Sequence, residues 1–160
     1  MPVNCTFLLN REKTSKLSCG GFGDVEAYSG HNDGRDNPDA VAITGLGPIP
    51  RGVYYLVDRQ SGGVLGSVRD WWSQNGYGTT DKAKWFMLWN PRTGDFTMIN
   101  GVKRGHFRLH PEGPARISEG CITVSDSAGF ERLQRFIRTA PPRMPVPGTT
   151  LMSYGVVEVK

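Results

Sequence analysis

The chain has 160 residues, enough for one sizeable core and too few for two ordinary domains, so a single domain spanning 1–160 is expected. With 21 Gly and 11 Pro breaking up short apolar runs, the composition points to a mainly β fold with many loops. The net charge of +4 is mild and carried by scattered residues, which suits an anionic polymer as partner but leaves no nucleic-acid footprint.

The first twenty residues include Asn4, Asn10, Arg11, Glu12, Lys13 and Lys16, so no signal-peptide core is expected there. No apolar run approaches the roughly eighteen residues of a membrane span. If the protein works outside the cytoplasm, a dedicated secretion machine must carry it. Cys5 to Leu9 and Leu17 to Tyr28 read as the first strands, with Gly20-Gly21-Phe22-Gly23 as a bend. Folding this N-terminal hairpin (about 4–20) around Glu12 sets Cys5 opposite Cys19. A disulfide in an oxidising space and two reduced, packed cysteines both fit that placement.

Ser29 to Ala40 is a polar loop with His31, Asp33, Asp36 and Asp39. It lacks the spacing of a calcium loop and any Cys partner, so a solvated loop is expected rather than a metal site. Gly45 to Gly52 contains Pro48 and Pro50, which cannot donate to a central ladder. It reads as a rigid structural turn at a sheet edge, leading into a strand over Val53 to Val57.

An aromatic cluster follows, with Trp71, Trp72, Tyr77, Trp85, Phe86 and Trp89. Trp85 to Trp89 reads as a buried strand, whereas Trp71 and Trp72, in a polar loop, are candidates for a groove wall. Asn90 to Asp95 is a turn into the strand Phe96 to Ile99, and Asn100-Gly101 is a hairpin signal. Alternation along His106 to His110 puts His106, Arg108 and His110 on one face. Arg108 there either binds a substrate carboxylate or pairs with an acid such as Glu112 or Glu119. A principal helix is expected over about 125–139, capped by Ser125 or Asp126, with Phe130, Leu133, Phe136 and Ile137 as its apolar face. Pro141 and Pro142 stop it. Residues Pro141 to Gly148 form an extended connector, and Thr150 to Val159 the last strand.

The chemistry concentrates in Phe107-Arg108-Leu109-His110-Pro111 and Ile117-Ser118-Glu119-Gly120-Cys121-Ile122-Thr123-Val124. A thiol needs a base to become a nucleophile, and a nearby imidazole is the usual one. Gly120, just before the thiol, leaves room for a substrate carbonyl, and its N–H with that of Cys121 suits a developing oxyanion. A zinc site from His106, His110 and Cys121 lacks a fourth ligand and the usual spacing.

His110 followed by Ser118-Glu119-Gly120-Cys121-Ile122 resembles the active-site signature of the L,D-transpeptidases. Ala27-Tyr28-Ser29-Gly30 and Gly47-Pro48-Ile49-Pro50-Arg51-Gly52-Val53-Tyr54, with Tyr154-Gly155-Val156-Val157, resemble a divergent branch that includes effectors of type VI secretion systems. Two departures stand out: Glu119 where most members have His, and Thr123 where many have Arg or Asn. The resemblance implies an L,D-transpeptidase-like β-sandwich or barrel with one principal helix. It makes Cys121 the nucleophile and His110 its base, with Gly120 and Ser118 in the catalytic signature; Arg108 and Glu119, from their positions, are the candidates for facing substrate.

It further implies peptidoglycan tetrapeptide stems as substrate, a thioester intermediate and no cofactor or metal. An antibacterial toxin of this kind would be made in the cytoplasm, secreted, and act in the periplasm of a target bacterium. Its partners would be a secretion apparatus component and a cognate immunity protein. The loss of His at 119 keeps a second expectation open, a non-catalytic peptidoglycan-binding or structural β module with a degenerate site.

Overall fold

A computed structural model describes residues 1–58, 82–114 and 116–160. Trp71, Trp72 and Tyr77 lie outside the described residues, and so does the expectation that Trp71 and Trp72 wall a groove. The strands are β1 (Val3–Phe7), β2 (Ser15–Cys19), β3 (Gly23–Tyr28), β4 (Gly52–Asp58), β5 (Phe86–Trp89), β6 (Phe96–Ile99), β7 (Val102–Gly105), β8 (Arg108–Pro111), β9 (Ile122–Val124), β10 (Met144–Pro145) and β11 (Met152–Val159). One α-helix, α1 (Ser127–Ile137), is present among the described residues.

Eight strands run in the order β1-β2-β3-β9-β8-β5-β4-β11, and β11 returns to β1, so the sheet closes into a barrel and the sandwich alternative drops out. Closure removes the exposed edges that an open sheet of this length would carry. The β1–β11 and β8–β9 pairings are parallel, and the others in the barrel are antiparallel. Gly155 marks a register shift in β11 where a Cβ would sit 1.9 Å from the Val3 carbonyl oxygen, so only glycine lets β1 come this close.

Alternation places Cys5, Phe7, Leu17, Val157 and Val159 in the apolar core. Cys5 and Cys19 are paired in register across β1–β2 and joined by a disulfide, which settles the alternative left open by their spacing. The Asn100-Gly101 turn closes the separate β6–β7 hairpin, with Ile99 opposite Val102 and both turn residues at positive φ, as the hairpin signal requires.

Helix α1 is shorter than the expected span. Asp126 is the cap, accepting from the N–H groups of Ala128 and Gly129. Phe130, Leu133 and Ile137 are buried, each contributing roughly 2 kcal/mol through lost apolar surface. The helix packs on β3, β8 and β9, directly behind the two strands that carry the candidate site. At its C-terminus Arg138 donates to Asp58 and to the Lys84 carbonyl and lies over the Phe86 ring, tying the helix to β4 and β5.

Candidate active site

Ser118 to Cys121 form a tight turn at the head of β9, and side chains from two other segments and from the turn itself hold its carbonyls. Arg104 Nη2 donates to the Glu119 carbonyl (3.2 Å), Ser29 Oγ to that of Gly120 (3.1 Å), and Ser118 Oγ to that of Cys121 (2.7 Å). Because each peptide is planar, pinning a carbonyl also fixes the N–H on its far side. Ser118 Oγ in turn accepts from Gly30 N–H (3.2 Å) and from Gly120 N–H (3.3 Å). Ser29 Oγ accepts from Ile49 N–H (2.8 Å).

The three sequence blocks are thus one structure: Ser29 and Gly30 clamp the Cys turn, and Ile49 of the Gly-Pro-Ile-Pro segment is fastened to the same serine. That proline segment was expected at a sheet edge; instead residues 47–50 are buried beside the turn, outside any strand. Gly120 has φ +115°, and a Cβ there would lie 2.6 Å from Arg104 Nη2 and 2.7 Å from the Phe107 ring. Both the backbone and the space exclude other residues.

Parallel β8 and β9 pair Leu109 with Ile122 and His110 with Thr123. Side chains alternate, so Arg108 and His110 share one face of β8 with Thr123 of β9, and Cys121 stands immediately ahead of that strand. His110 is fully buried; its Nδ1 lies 2.7 Å from the Pro111 carbonyl oxygen and its ring stacks on Trp85 at 4.5 Å. A carbonyl only accepts, so Nδ1 carries the proton and the neutral ring keeps its basic lone pair on Nε2. Burial pushes the His110 pKa down to about 4, opposed by the Pro111 carbonyl and reinforced by Arg108.

Cys121 is the free cysteine, 2% exposed. Its Sγ donates to the His106 carbonyl (3.6 Å) and receives the Arg108 backbone N–H. Burial pushes the thiol up to about 12, with Arg108 pulling the other way and Glu119 and Asp95 adding to the rise. Thiol and imidazole therefore rest neutral, rather than as a preformed ion pair.

Several expectations need correction. His106 does not continue the β8 alternation: it sits at φ +58°, a left-handed kink between β7 and β8 that aims its carbonyl at Cys121 and its ring nitrogen at Asp95 (3.3 Å). Arg108 has no exposed surface, and its fork closes on Asp95 at 2.6 and 3.0 Å rather than on Glu112 or Glu119. Its charge is therefore committed inside the protein, away from an incoming carboxylate. Although burial raises the carboxyl pKa of Asp95, the hydrogen bonds from His106 and Arg108 hold it below the ordinary value. Asp36, expected in a solvated loop, is fully buried and accepts from Ser29 N–H (2.9 Å). Glu119 is half-buried beside the thiol. Among the described residues no group of three His, Cys, Asp or Glu is placed to hold a metal.

Trp85, Asp95, Arg104 and Ser29 were not singled out as site residues by the sequence. Ser29 at least lies in a quoted block, whereas nothing in the Val102–Gly105 strand distinguishes Arg104 from a surface arginine.

The closed barrel carries the cysteine turn at the head of β9 and a buried, carbonyl-oriented histidine on the adjoining strand β8. The model of the Tlde1 domain matches residues 23–149, most of the chain and both of these residues. The chain belongs to this family of type VI secretion effectors, antibacterial enzymatic toxins directed at peptidoglycan. Members imply a secretion apparatus and a cognate immunity protein. No curated protein and no solved structure matches. No helix among the described residues is long and apolar enough to cross a membrane.

Proposed function

We propose that the chain, as one domain, is a cysteine L,D-carboxypeptidase and L,D-transpeptidase of the divergent type VI branch, acting on peptidoglycan tetrapeptide stems. The observation that carries this reading is the placement of Cys121 at the head of β9, next to the parallel strand β8 that carries His110, with His110 Nδ1 held on the Pro111 carbonyl. That orientation leaves Nε2 of a neutral ring to take the thiol proton as the sulfur attacks.

The sulfur forms a bond to the acyl carbon of the third-position diamino acid. The tetrahedral oxyanion rests on the Cys121 N–H, with Gly120 N–H, already turned to Ser118 Oγ at 3.3 Å, as the weaker donor. The carbon–nitrogen bond to the terminal D-alanine then breaks, the departing amine taking the proton from His110. Water resolves the thioester to a carboxylate and free thiol, giving a tripeptide stem. A D-amino acid amine resolves it to a new amide, giving exchange.

Ser118 supports the nucleophile turn, Arg108 holds Asp95 and the strand beneath the thiol, and Glu119 lines the substrate side. No cofactor is required. The site of action is the periplasm of a target bacterium, an oxidising space that suits the Cys5–Cys19 bond. An immunity protein covering the site protects the producer.

The test is mass spectrometry of muropeptides after incubating purified protein with tetrapeptide-rich sacculi, with and without a free D-amino acid, beside Cys121→Ala. Conversion to tripeptides, or a mass change at the fourth residue, that vanishes in the variant supports the reading. Unchanged muropeptides with folded wild-type protein overturn it and leave a peptidoglycan-binding module.

A further inference from the structure

Tyr28 closes β3, and its register partner on β9 is Thr123, which is itself paired with His110 of β8. Opposed residues of neighbouring strands point to the same side, so Tyr28, Thr123 and His110 form one row across the sheet. All three are buried. Neighbouring strands lie about 4.8 Å apart, which sets Tyr28 about 10 Å from His110.

The outer end of this row is covered by cations. The guanidinium carbon of Arg35 stands 3.9 Å from the centroid of the Tyr28 ring, and Arg35 Nη2 donates to the Arg116 carbonyl (3.2 Å). Arg116 Nε lies 3.5 Å from Glu112 Oε1, and the Tyr28 hydroxyl donates to Glu112 Oε2 (2.8 Å). These residues close a ring of contacts next to the strand that carries the histidine. The ring holds two guanidiniums and one carboxylate, which leaves it with a net positive charge.

Arg35 itself makes no ion pair among the described residues, and the adjacent Asp36 turns its carboxyl inward to Ser29 N–H (2.9 Å). A guanidinium offers several N–H donors. That of Arg35 makes one hydrogen bond, and its Nε is buried without a partner. An arginine fixed by stacking, partly exposed and with donors unfilled is equipped for a carboxylate ligand. The other arginine on this face, Arg108, is already neutralised by Asp95.

A tetrapeptide stem presents its carboxylates at different distances from the attacked carbon. That of the terminal D-alanine lies roughly 4 Å away, whereas the α-carboxylate of the γ-linked D-glutamate at the second position lies roughly 8 Å away along the extended stem. The span from His110 to the Tyr28 ring and the guanidinium above it exceeds the first distance and suits the second.

We propose that Arg35, braced on Tyr28 and on the Arg116 carbonyl, binds the α-carboxylate of the second-position D-glutamate of the stem. This rests on the stem peptide being the substrate, and it deepens that reading by naming the group that selects acidic stems.

The experiment is binding of a tetrapeptide stem, labelled at its N-terminus, to Cys121→Ala protein by fluorescence polarisation. One stem carries the free α-carboxylate and the other carries isoglutamine, in which that carboxylate is an amide. With Arg35 intact, the amidated stem is expected to bind about tenfold more weakly. Arg35→Gln should weaken the acidic stem by about the same tenfold and leave the amidated stem unchanged, so that discrimination disappears. Equal affinities for the two stems with Arg35 intact, or no binding of either, would overturn the proposal. So would an Arg35→Gln protein of unchanged Tm that still discriminates as before. If the Gln variant fails to fold, Arg35→Lys replaces it: a loss of about threefold or more on the acidic stem alone is expected, and no loss overturns the assignment. Binding is read without the thiol, so sacculi left unchanged by wild type defeat the acyl-transfer reading alone, and equal affinities defeat this assignment alone.

Discussion

Around β1, β2 and β11 the backbone is held by continuous ladders, alternating apolar side chains and the Cys5–Cys19 bond. Around Cys121 the ladder is only three residues of β9 long, and side chains take over: Arg104, Ser29 and Ser118 hold three successive carbonyls. The first region stays folded because many equivalent interactions share the load. The second is held by few, non-equivalent bonds, so that a loop without regular structure keeps one geometry. Damage to the first should therefore cost stability and spare chemistry, and damage to the second should cost chemistry beyond what any loss of stability explains.

Removing the disulfide with Cys5→Ala and Cys19→Ala tests the first half most severely. Opening a 14-residue separation releases loop entropy in the unfolded chain, an expected loss of about 2–4 kcal/mol in denaturant unfolding. Turnover of tetrapeptide stems per folded molecule should stay within about twofold of wild type, since both cysteines sit on β1 and β2, with β3 between them and β9 in the sheet. A matching loss of turnover would show that the two regions are coupled.

Ser29→Ala tests the other half. The substitution strips the Gly120 carbonyl of its donor and leaves the buried Ile49 N–H without its acceptor. A cost of about 1–3 kcal/mol is expected for those buried groups. Loosening the turn by even a fraction of an ångström should lower turnover by about 10- to 100-fold, in excess of what unfolding explains. Measured Tm and turnover falling together, in proportion, would mean that the serine only stabilises the fold.

The same contrast governs how far the sequence could be read. Alternation, turn residues and the helix face gave the hairpin with Cys5 opposite Cys19, the Asn100-Gly101 turn and the helix behind β9, because each depends on near neighbours in sequence. The strand that carries His110 and the glycine turn that puts Cys121 at the head of β9 were also legible, through local pattern. The failures occurred where one long-range bond overrides local pattern. His106 leaves the strand period because its backbone turns left-handed toward Asp95. Arg108 pairs with Asp95 across 13 residues rather than with a nearer surface acid. The 47–50 segment is buried, not at an edge, because Ser29 and Arg104 satisfy its polar groups.

Asp36 offers the smallest effect and the most specific sign. Burial pushes its carboxyl up to about 7, against the pull of the Ser29 N–H and of Arg35. Since the unfolded chain releases this proton near pH 4, the native state binds it more tightly between those values. Stability from this group is present in full below about pH 4 and is lost as pH rises through about 7. Asn in its place imitates the protonated acid: one oxygen still accepts from Ser29 N–H, and the left-handed backbone at φ +53° suits Asn nearly as well as Asp. Asp36→Asn should therefore be more stable than wild type at pH 8, by about 1 kcal/mol or more, and the advantage should shrink steadily toward pH 4. The informative quantity is the difference between the two Tm curves, because every other titrating group cancels in it. A difference constant across that range would mean that Asp36 is ionised in the folded protein throughout, with its charge accommodated behind Ser29 rather than suppressed by burial.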